Sequence, residues 1–204
     1  KLDEVLTKEI KPDVTTKQVD SKAEKIIRSQ GAIPSFKGYG GFPGSICTSV
    51  NDEIVHGIPS ERKLKQGDII SVDMGSYIGG YHADAARTYA VGEITPELQK
   101  LIDVTKQSFF EGIQYAKQGC HLNQIGVAIQ KYVEQNGFSV VREYVGHGIG
   151  RKLHEDPSVA NYKEQRKGIL LKKGMTLAIE PMVNMGSYQL KVLKYIISDN
   201  WEIP

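Results

Sequence analysis

Carboxylates at two places in the chain are spaced so that they could hold a metal ion. Asp73 ends the apolar run at residues 69–72, and Asp84 follows 11 residues later in the next segment. Two acids held together in an apolar setting repel each other unless a cation lies between them, so a metal ion explains such a placement simply. On this pair alone, two ordinary acids near a turn remain the alternative.

A second group of candidate ligands lies in the latter half of the chain. His147 stands in Gly-His-Gly-Ile-Gly at residues 146–150, where glycine permits tight turns and leaves room for a substrate beside the imidazole. His154 follows one short loop later, and Glu180 ends another apolar run. Any one of these could be a satisfied structural group. Together with the two aspartates they give a mixed oxygen and nitrogen donor set that suits paired Mn, Co, Fe or Zn ions and the activation of water.

An internal repeat predicts how these residues are positioned. Residues 64–73 align with residues 171–180 at a constant offset of 107. Each copy is a Lys-Gly turn that feeds an apolar strand ending on a carboxylate, Asp73 or Glu180. The pattern favours two related halves whose strands deliver both carboxylates to a shared centre. Chance recurrence of a short motif is the competing explanation.

Local patterns predict an α+β fold, with helices and antiparallel strands in clusters and not in strict alternation. Cap residues, proline at a first helical position and terminal glycines indicate the helices. We expect these helices at residues 2–10, 16–30, 96–117 and 122–135. β-prone stretches between turn residues indicate the strands. We expect these strands at residues 45–50, 69–74, 81–91, 138–142, 175–183 and 192–201.

Composition is that of an ordinary globular protein. The 204 residues are 40% hydrophobic and 25% charged, and we expect one domain with pseudo-repeat halves of roughly 1–92 and 93–204. The net charge of +2 comes from interspersed charges, so neither a nucleic-acid footprint nor a polybasic membrane patch is predicted. The apolar runs are too short to cross a bilayer. Two cysteines outside any Cys-x-x-Cys pair argue against a disulfide framework and favour the cytoplasm.

The segment from Tyr144 to Tyr162, with its Gly-His-Gly-Ile-Gly core, is similar to the signature segment of type I methionine aminopeptidases. The similarity covers almost the whole chain. It also takes in residues 38–39, 42–43, 45–47, 51–53, 56–59, 72–73, 84, 88 and 179–182. The resemblance implies the pita-bread fold of creatinases and aminopeptidases, in which two pseudo-twofold-related α+β halves with antiparallel sheet and flanking helices enclose a pair of divalent metals.

The resemblance implies a role for each candidate ligand. Asp73 and Asp84 bind metal, with Asp84 bridging two ions, while His147 and Glu180 complete the first site. Glu180 also guides the attacking water. His154 stabilises the oxygen of the tetrahedral intermediate, as a nearby hydrogen-bond donor can.

The resemblance also implies which residues meet the substrate. His56 contacts the peptide beyond the scissile bond, and His154 faces the same substrate. Tyr39, Phe42 and Cys47 are candidates for the methionine pocket, since an apolar slot with a soft sulfur suits an unbranched thioether. Simple core packing is the alternative for these three residues.

One feature of the family pattern is missing from the printed sequence. The resemblance implies a further glutamate near the C-terminus that bridges both metals, and the sequence stops at Pro204 before it. Glu202 lies too early in its strand to take this role. Because Lys1 is not an initiator Met and the chain opens inside a helical pattern, we expect a chain cut at both ends, with a weak second metal site and an open sheet edge.

These expectations add up to a metal-dependent hydrolase that removes the first methionine from peptides and nascent proteins. We expect substrates with an N-terminal Met before a small second residue, a monomer, and no nucleic-acid substrate or membrane partner. Docking at the ribosome stays open. The alternatives are proline-directed aminopeptidases, prolidases and creatinases of the same fold, a non-catalytic binding member, or an inactive shortened chain.

Overall fold

A computed structural model describes residues 2–192. Their contacts divide the chain into two compact units, one formed by residues 2–95 with 191–192 and the other by residues 96–190. The boundary lies three residues after the one expected from the repeat. The expected strand at residues 192–201 lies, apart from Val192, outside the described residues.

Two helices open the first unit, α1 at Leu2–Glu9 and α2 at Thr16–Ser29. The Thr15 hydroxyl accepts a hydrogen bond from the Gln18 N–H, and the Gln18 side chain accepts one from the Thr15 N–H. This reciprocal capping box satisfies two N–H groups that the first turn leaves without helical partners. The helix stops just before Gly31, as the sequence predicted.

A four-stranded antiparallel sheet follows in the first unit. Its strands are β1 (Ile33–Pro34), β2 (Ile46–Val50), β3 (Ile69–Ile78) and β4 (Tyr81–Ala90). β3 is central, because β2 and β1 pair with successive parts of one edge while β4 pairs along the other. Because side chains alternate along a strand, one face of β3 is apolar and the other carries Asp73.

The apolar face of β3 packs under the first two helices. Alternate β3 residues are buried there together with helix residues. This core consists of Leu6, Ile10, Val19, Ala23, Ile46, Val50, Leu64, Ile70, Val72, Met74 and Val91. Removing these side chains from water supplies the main driving force for the first unit, and it fixes which face of the sheet remains for polar residues.

The second unit begins with two helices, α3 at Pro96–Ile113 and α4 at Asn123–Gln135. α3 ends four residues before the expected Lys117. The N–H groups of Tyr115 and Ala116 donate to carbonyls three residues back, so the chain tightens into turns there and the helix does not continue. Among the described residues, no helix is both long and apolar enough to cross a bilayer.

The strands of the second unit are short. They are β5 (Ser139–Val140), β6 (Gly146–Gly148), β7 (Glu155–Val159), β8 (Leu177–Ala178) and β9 (Val183–Asn184). β6 lies between β7 and β8, and β5 pairs with β9. The prediction of one strand over residues 175–183 was wrong, because the segment breaks into β8 and β9 around Pro181, which has no N–H to donate.

The core of the second unit lies between its helices and strands. It buries apolar side chains from α3, α4, β5 and β7 and from the loops beside them. The fully buried members are Ile125, Ile129, Val133 and Val159. This core holds β7, and with it the paired strand β6, against α4.

The repeat in the sequence extends to backbone geometry. The Ile33–Tyr77 strand pair of the first unit recurs as Ser139–Asn184 in the second, 106 and 107 residues later. Helix α4 corresponds to α2 in this repeat, and both helices end shortly before a glycine of positive φ. The shared geometry therefore extends beyond the ten aligned residues. A chance recurrence of a short motif does not explain this extent.

The repeated Lys-Gly turn gives a first testable prediction. Gly67 and Gly174 have φ angles of 89° and 92°. A Cβ in this left-handed region costs about 1–2 kcal/mol. Gly67→Ala and Gly174→Ala should therefore each lower the free energy of unfolding by about this amount, which is seen as a lower urea midpoint. Gly186→Ala is the matched control, because Gly186 has open space around it and no positive φ. Midpoints equal to that of the control would contradict the assignment of these turns.

Candidate metal centre and active site

The two aspartates of the first unit lie on neighbouring strands. Asp73 on β3 is opposite Ala86 on β4, and Asp84 on β4 is opposite Gly75 on β3. Directly opposed residues share a face of a sheet, so both carboxylates project from the face that is not packed on the core, in diagonal positions. β3 and its hairpin partner therefore present two acids side by side.

Cys47 joins the two aspartates on the same face. It is opposite Asp73 in the pairing of β2 with β3, and its side chain is buried. Burial raises the pKa of the Cys47 thiol well above its usual value, and the negative charges of Asp73, Asp84 and Asp20 raise it further. Cys47 therefore stays a neutral thiol at physiological pH. The same charges repel one another, and a bound cation would offset that repulsion.

The other two candidates for a methionine pocket lie in the loop before β2. Tyr39 is in a short 3-10 turn, Tyr39–Gly41, and is 48% exposed, whereas Phe42 is buried. The Gly38 N–H donates to the Phe42 carbonyl at 2.8 Å, which closes the turn. Core packing is therefore the wrong explanation for Tyr39, whereas Phe42 and Cys47 are both buried.

His56 lies in the loop between β2 and β3 with an unusual backbone. Its φ of 59° is rare for a residue with a Cβ, although histidine tolerates it more often than most. The next residue, Gly57, accepts a hydrogen bond from the Thr48 N–H at 2.7 Å and donates to the Ser49 hydroxyl at 3.1 Å. The loop is thus anchored on β2, next to Cys47. Such observed strain supports a functional role for His56.

His147 and Glu180 face each other in the second unit. His147 Nδ1 lies 2.8 Å from the Gly148 carbonyl oxygen, and since a carbonyl only accepts, the neutral tautomer that fits this contact has its proton on Nδ1. In that tautomer the lone pair of Nε2 faces Glu180, and Nε2 lies 3.2 Å from the buried Glu180 Oε1. A protonated His147 forms an ion pair with this carboxylate, and a neutral His147 leaves two donor atoms that can bind a metal ion together. The pair fits a metal ion.

The glycines beside His147 have a different purpose from the one expected. Gly146 and Gly148 are not in turns but in strand β6. A Cβ on Gly146 would overlap the carbonyl of Ala178, and one on Gly148 would overlap the carbonyl of Asp156. Glycine is needed here so that the neighbouring strands can approach β6 closely, which holds the imidazole in place.

The second unit brings three of its predicted residues together. The His154 ring lies 4.3 Å from the His147 ring, centroid to centroid and at 60°, and its side chain is exposed. His147, His154 and Glu180 therefore form one group, with His154 on its solvent side. In the first unit, Cys47, Asp73 and Asp84 form a second group.

Asn161 is a residue to which the sequence analysis gave no role. It is fully buried, and its amide donates to the backbone carbonyl of Glu180 at 2.7 Å. Asn161 thereby fixes the main chain that carries the Glu180 carboxylate. The available signal was a polar residue directly after the apolar pair Val159 and Ala160.

Comparison with known proteins agrees with this geometry. The model of metallopeptidase family M24 matches residues 2–200. Methionine aminopeptidase 1 of Bacillus subtilis is 57% identical over 200 residues, which are 98% of this chain and 79% of that protein. The methionine aminopeptidase of Escherichia coli is 41% identical, over 98% of this chain and 75% of its own length.

Solved structures show the same relationship. The methionine aminopeptidase of Rickettsia prowazekii superposes with a TM-score of 0.93 at 41% identity, covering 98% of this chain and 79% of that one. A prolidase from Pyrococcus furiosus, at 23% identity and a TM-score of 0.74, covers 88% of this chain and 51% of its own, and shares the pita-bread fold. By sequence and by structure, this chain belongs to metallopeptidase family M24 and, within that family, to the methionine aminopeptidases.

Proposed function

We propose that this chain hydrolyses the first peptide bond of peptides and nascent proteins that begin with methionine, using two divalent metal ions. The observation that carries the proposal is the pair of His147 and Glu180. His147 Nε2 lies 3.2 Å from Glu180 Oε1 while Nδ1 contacts the Gly148 carbonyl, so the two side chains are placed to bind one metal ion together. The fold and family membership support the same conclusion.

Asp73, Asp84, His147 and Glu180 would hold the metal ions. Three carboxylates and one neutral imidazole suit Mn, Co, Fe or Zn. When bound, such ions polarise the scissile carbonyl and lower the pKa of the attacking water. Asn161 positions one of these ligands without binding metal itself, because its amide donates a hydrogen bond to the main-chain carbonyl of Glu180.

The remaining polar residues of the proposal act on the substrate itself. Glu180 orients the attacking water through its carboxylate. His154, which lies beside His147 and is open to solvent, donates a hydrogen bond to the oxygen that becomes negative in the tetrahedral intermediate. His56 binds the peptide on the far side of the scissile bond, and the hydrogen bond from Thr48 to Gly57 anchors the loop that carries it.

Methionine selectivity is assigned to Tyr39, Phe42 and Cys47. A neutral buried thiol and two aromatic rings give an apolar, polarisable surface for an unbranched thioether. A small second residue would leave His56 room to reach the peptide. The proposal places this activity in the cytoplasm, in a monomer that acts on the N-termini of new proteins.

The proposal is tested by the release of methionine from Met-Gly-Met after metal removal and addition of Mn, Co or Fe. We expect release only with metal, and at least about tenfold slower release from Leu-Gly-Met, since one pocket of this kind distinguishes side chains by roughly 1–3 kcal/mol. A folded protein that releases no methionine with any metal would overturn the proposal. If that protein still bound Met-Gly-Met, it would be a binding member of the fold.

A further inference from the structure

Helix α2 bonds directly to the backbone that precedes Cys47. The Asp20 carboxylate accepts hydrogen bonds from the N–H groups of Ser45 at 2.7 Å and Ile46 at 3.0 Å, both to the same oxygen, Oδ1. Hydrogen bonds to an ionised acceptor are roughly twice as strong as neutral ones. One side chain of α2 thus fixes the position at which β2 begins.

A second link joins the same helix to the other end of the loop. Glu24, one turn after Asp20, accepts from Lys37 Nζ at 2.6 Å and from Arg28 Nε at 2.8 Å. Residues four apart lie on one face of a helix, so both acids point to the same side. The cations of Lys37 and Arg28 lower the pKa of Glu24 to about 2, so the carboxylate stays ionised in any ordinary assay.

These two links hold residues 37–46 at both ends. Between them lie Tyr39 and Phe42, and the turn that carries them is closed by its own hydrogen bond. The position of the aromatic residues relative to Cys47 therefore depends on α2. Loss of either link would free one end of this loop and so change the shape of the pocket.

The internal repeat shows that the architecture alone does not need this arrangement. The position equivalent to Asp20 in the second unit is Gly126, 106 residues later on α4. There the carbonyls of Ala160 and Tyr162 approach the helix directly, and a side chain would not fit. Burial raises the pKa of Asp20, so keeping this carboxylate ionised has a desolvation cost that the first unit alone bears.

We propose that Asp20 and Glu24 are positioning residues for substrate selectivity, and we call the pair the α2 clasp. The clasp does not touch the substrate; it sets the width of the methionine pocket by fixing both ends of the loop that carries Tyr39 and Phe42. This inference rests on the proposed function, because it takes those residues as the pocket.

The test separates selectivity from chemistry. Asp20→Ala should raise KM for Met-Gly-Met on the order of tenfold and lower the preference over Leu-Gly-Met, with kcat changed by no more than about twofold. Asp20→Asn keeps an acceptor oxygen at the same place for the two backbone N–H groups. This variant should therefore have a KM close to the parent value. Glu24→Gln should give a smaller loss of selectivity, because Lys37 keeps a neutral acceptor.

Glu61→Gln is the matched control, since it removes the same charge from the partner of an exposed α2 lysine, Lys17, away from the loop. It should behave as the parent. Equal losses for both peptides, a fall in kcat, or failure of Asp20→Asn to rescue would overturn the inference. If Asp20→Ala does not fold, Glu24→Gln decides, and unchanged selectivity there overturns it.

Failure of the proposed function gives a different result. If the parent chain cleaves nothing, free L-methionine binding is measured instead, and Asp20→Ala should bind on the order of tenfold more weakly than the parent and Asp20→Asn. Equal binding by all three overturns the clasp. A parent chain that neither cleaves nor binds methionine overturns both proposals.

Discussion

Asp84→Asn is expected to lower kcat/KM for methionine release on the order of a thousandfold or more. The amide has the size of the carboxylate but no negative charge, so it would be a much weaker ligand for a divalent cation. The fold should tolerate the change, because Asp84 projects from the sheet face opposite the core. The measurement is the initial rate of methionine release with saturating Mn or Co, together with metal affinity by calorimetry.

Asp103→Asn provides the control for this exchange. Asp103 is an exposed residue of α3 that accepts a hydrogen bond from Gln99, so the same chemical change there should leave rate and metal affinity at parent values. An Asp84→Asn variant that retained more than about a tenth of the parent rate would show that Asp84 is not a metal ligand.

Gly146→Ala is expected to destabilise the second unit by about 3 kcal/mol and to abolish turnover. The added methyl group would overlap the carbonyl of Ala178 on β8 and would lie 3.4 Å from the Val159 Cβ on β7. These are backbone and buried atoms, which cannot move without breaking the strand pairs of β6. His147 would leave its place opposite Glu180.

The effect of Gly146→Ala is measured by urea unfolding and by methionine release in the same preparation. Gly186→Ala adds the same methyl group in open space and should change neither quantity. A stable, active Gly146→Ala variant would mean that β6 does not need the close approach of β8.

Much of the first unit follows from local sequence. Thr15 and Gly31 mark the ends of α2, and a turn at Gly79–Gly80 joins β3 to β4 between the strands expected at residues 69–74 and 81–91. These signals are local, so a short window of residues carries them. In the second unit the strands are only two to five residues long, and patterns over so few residues do not separate a strand from a loop.

The candidate site shows the same limit. Residue type and spacing pointed to Asp73, Asp84 and His147, because ligand chemistry is a property of the side chain. The part of Asp20 could not be predicted, since its partners are backbone N–H groups 25 and 26 residues away that every segment possesses. Asn161 was missed for a related reason, because its partner is the main-chain carbonyl of Glu180.

The matching strand registers of the two units are what tandem duplication of an ancestral segment of about a hundred residues would leave behind. Two copies of one gene segment can diverge separately, provided that each keeps the turns and cores that fold it. Asp20 in one copy and Gly126 in the other record such a divergence. The preference for the N-terminal side chain of the substrate could therefore evolve, or be redesigned, through changes in the first copy while the second stayed unaltered.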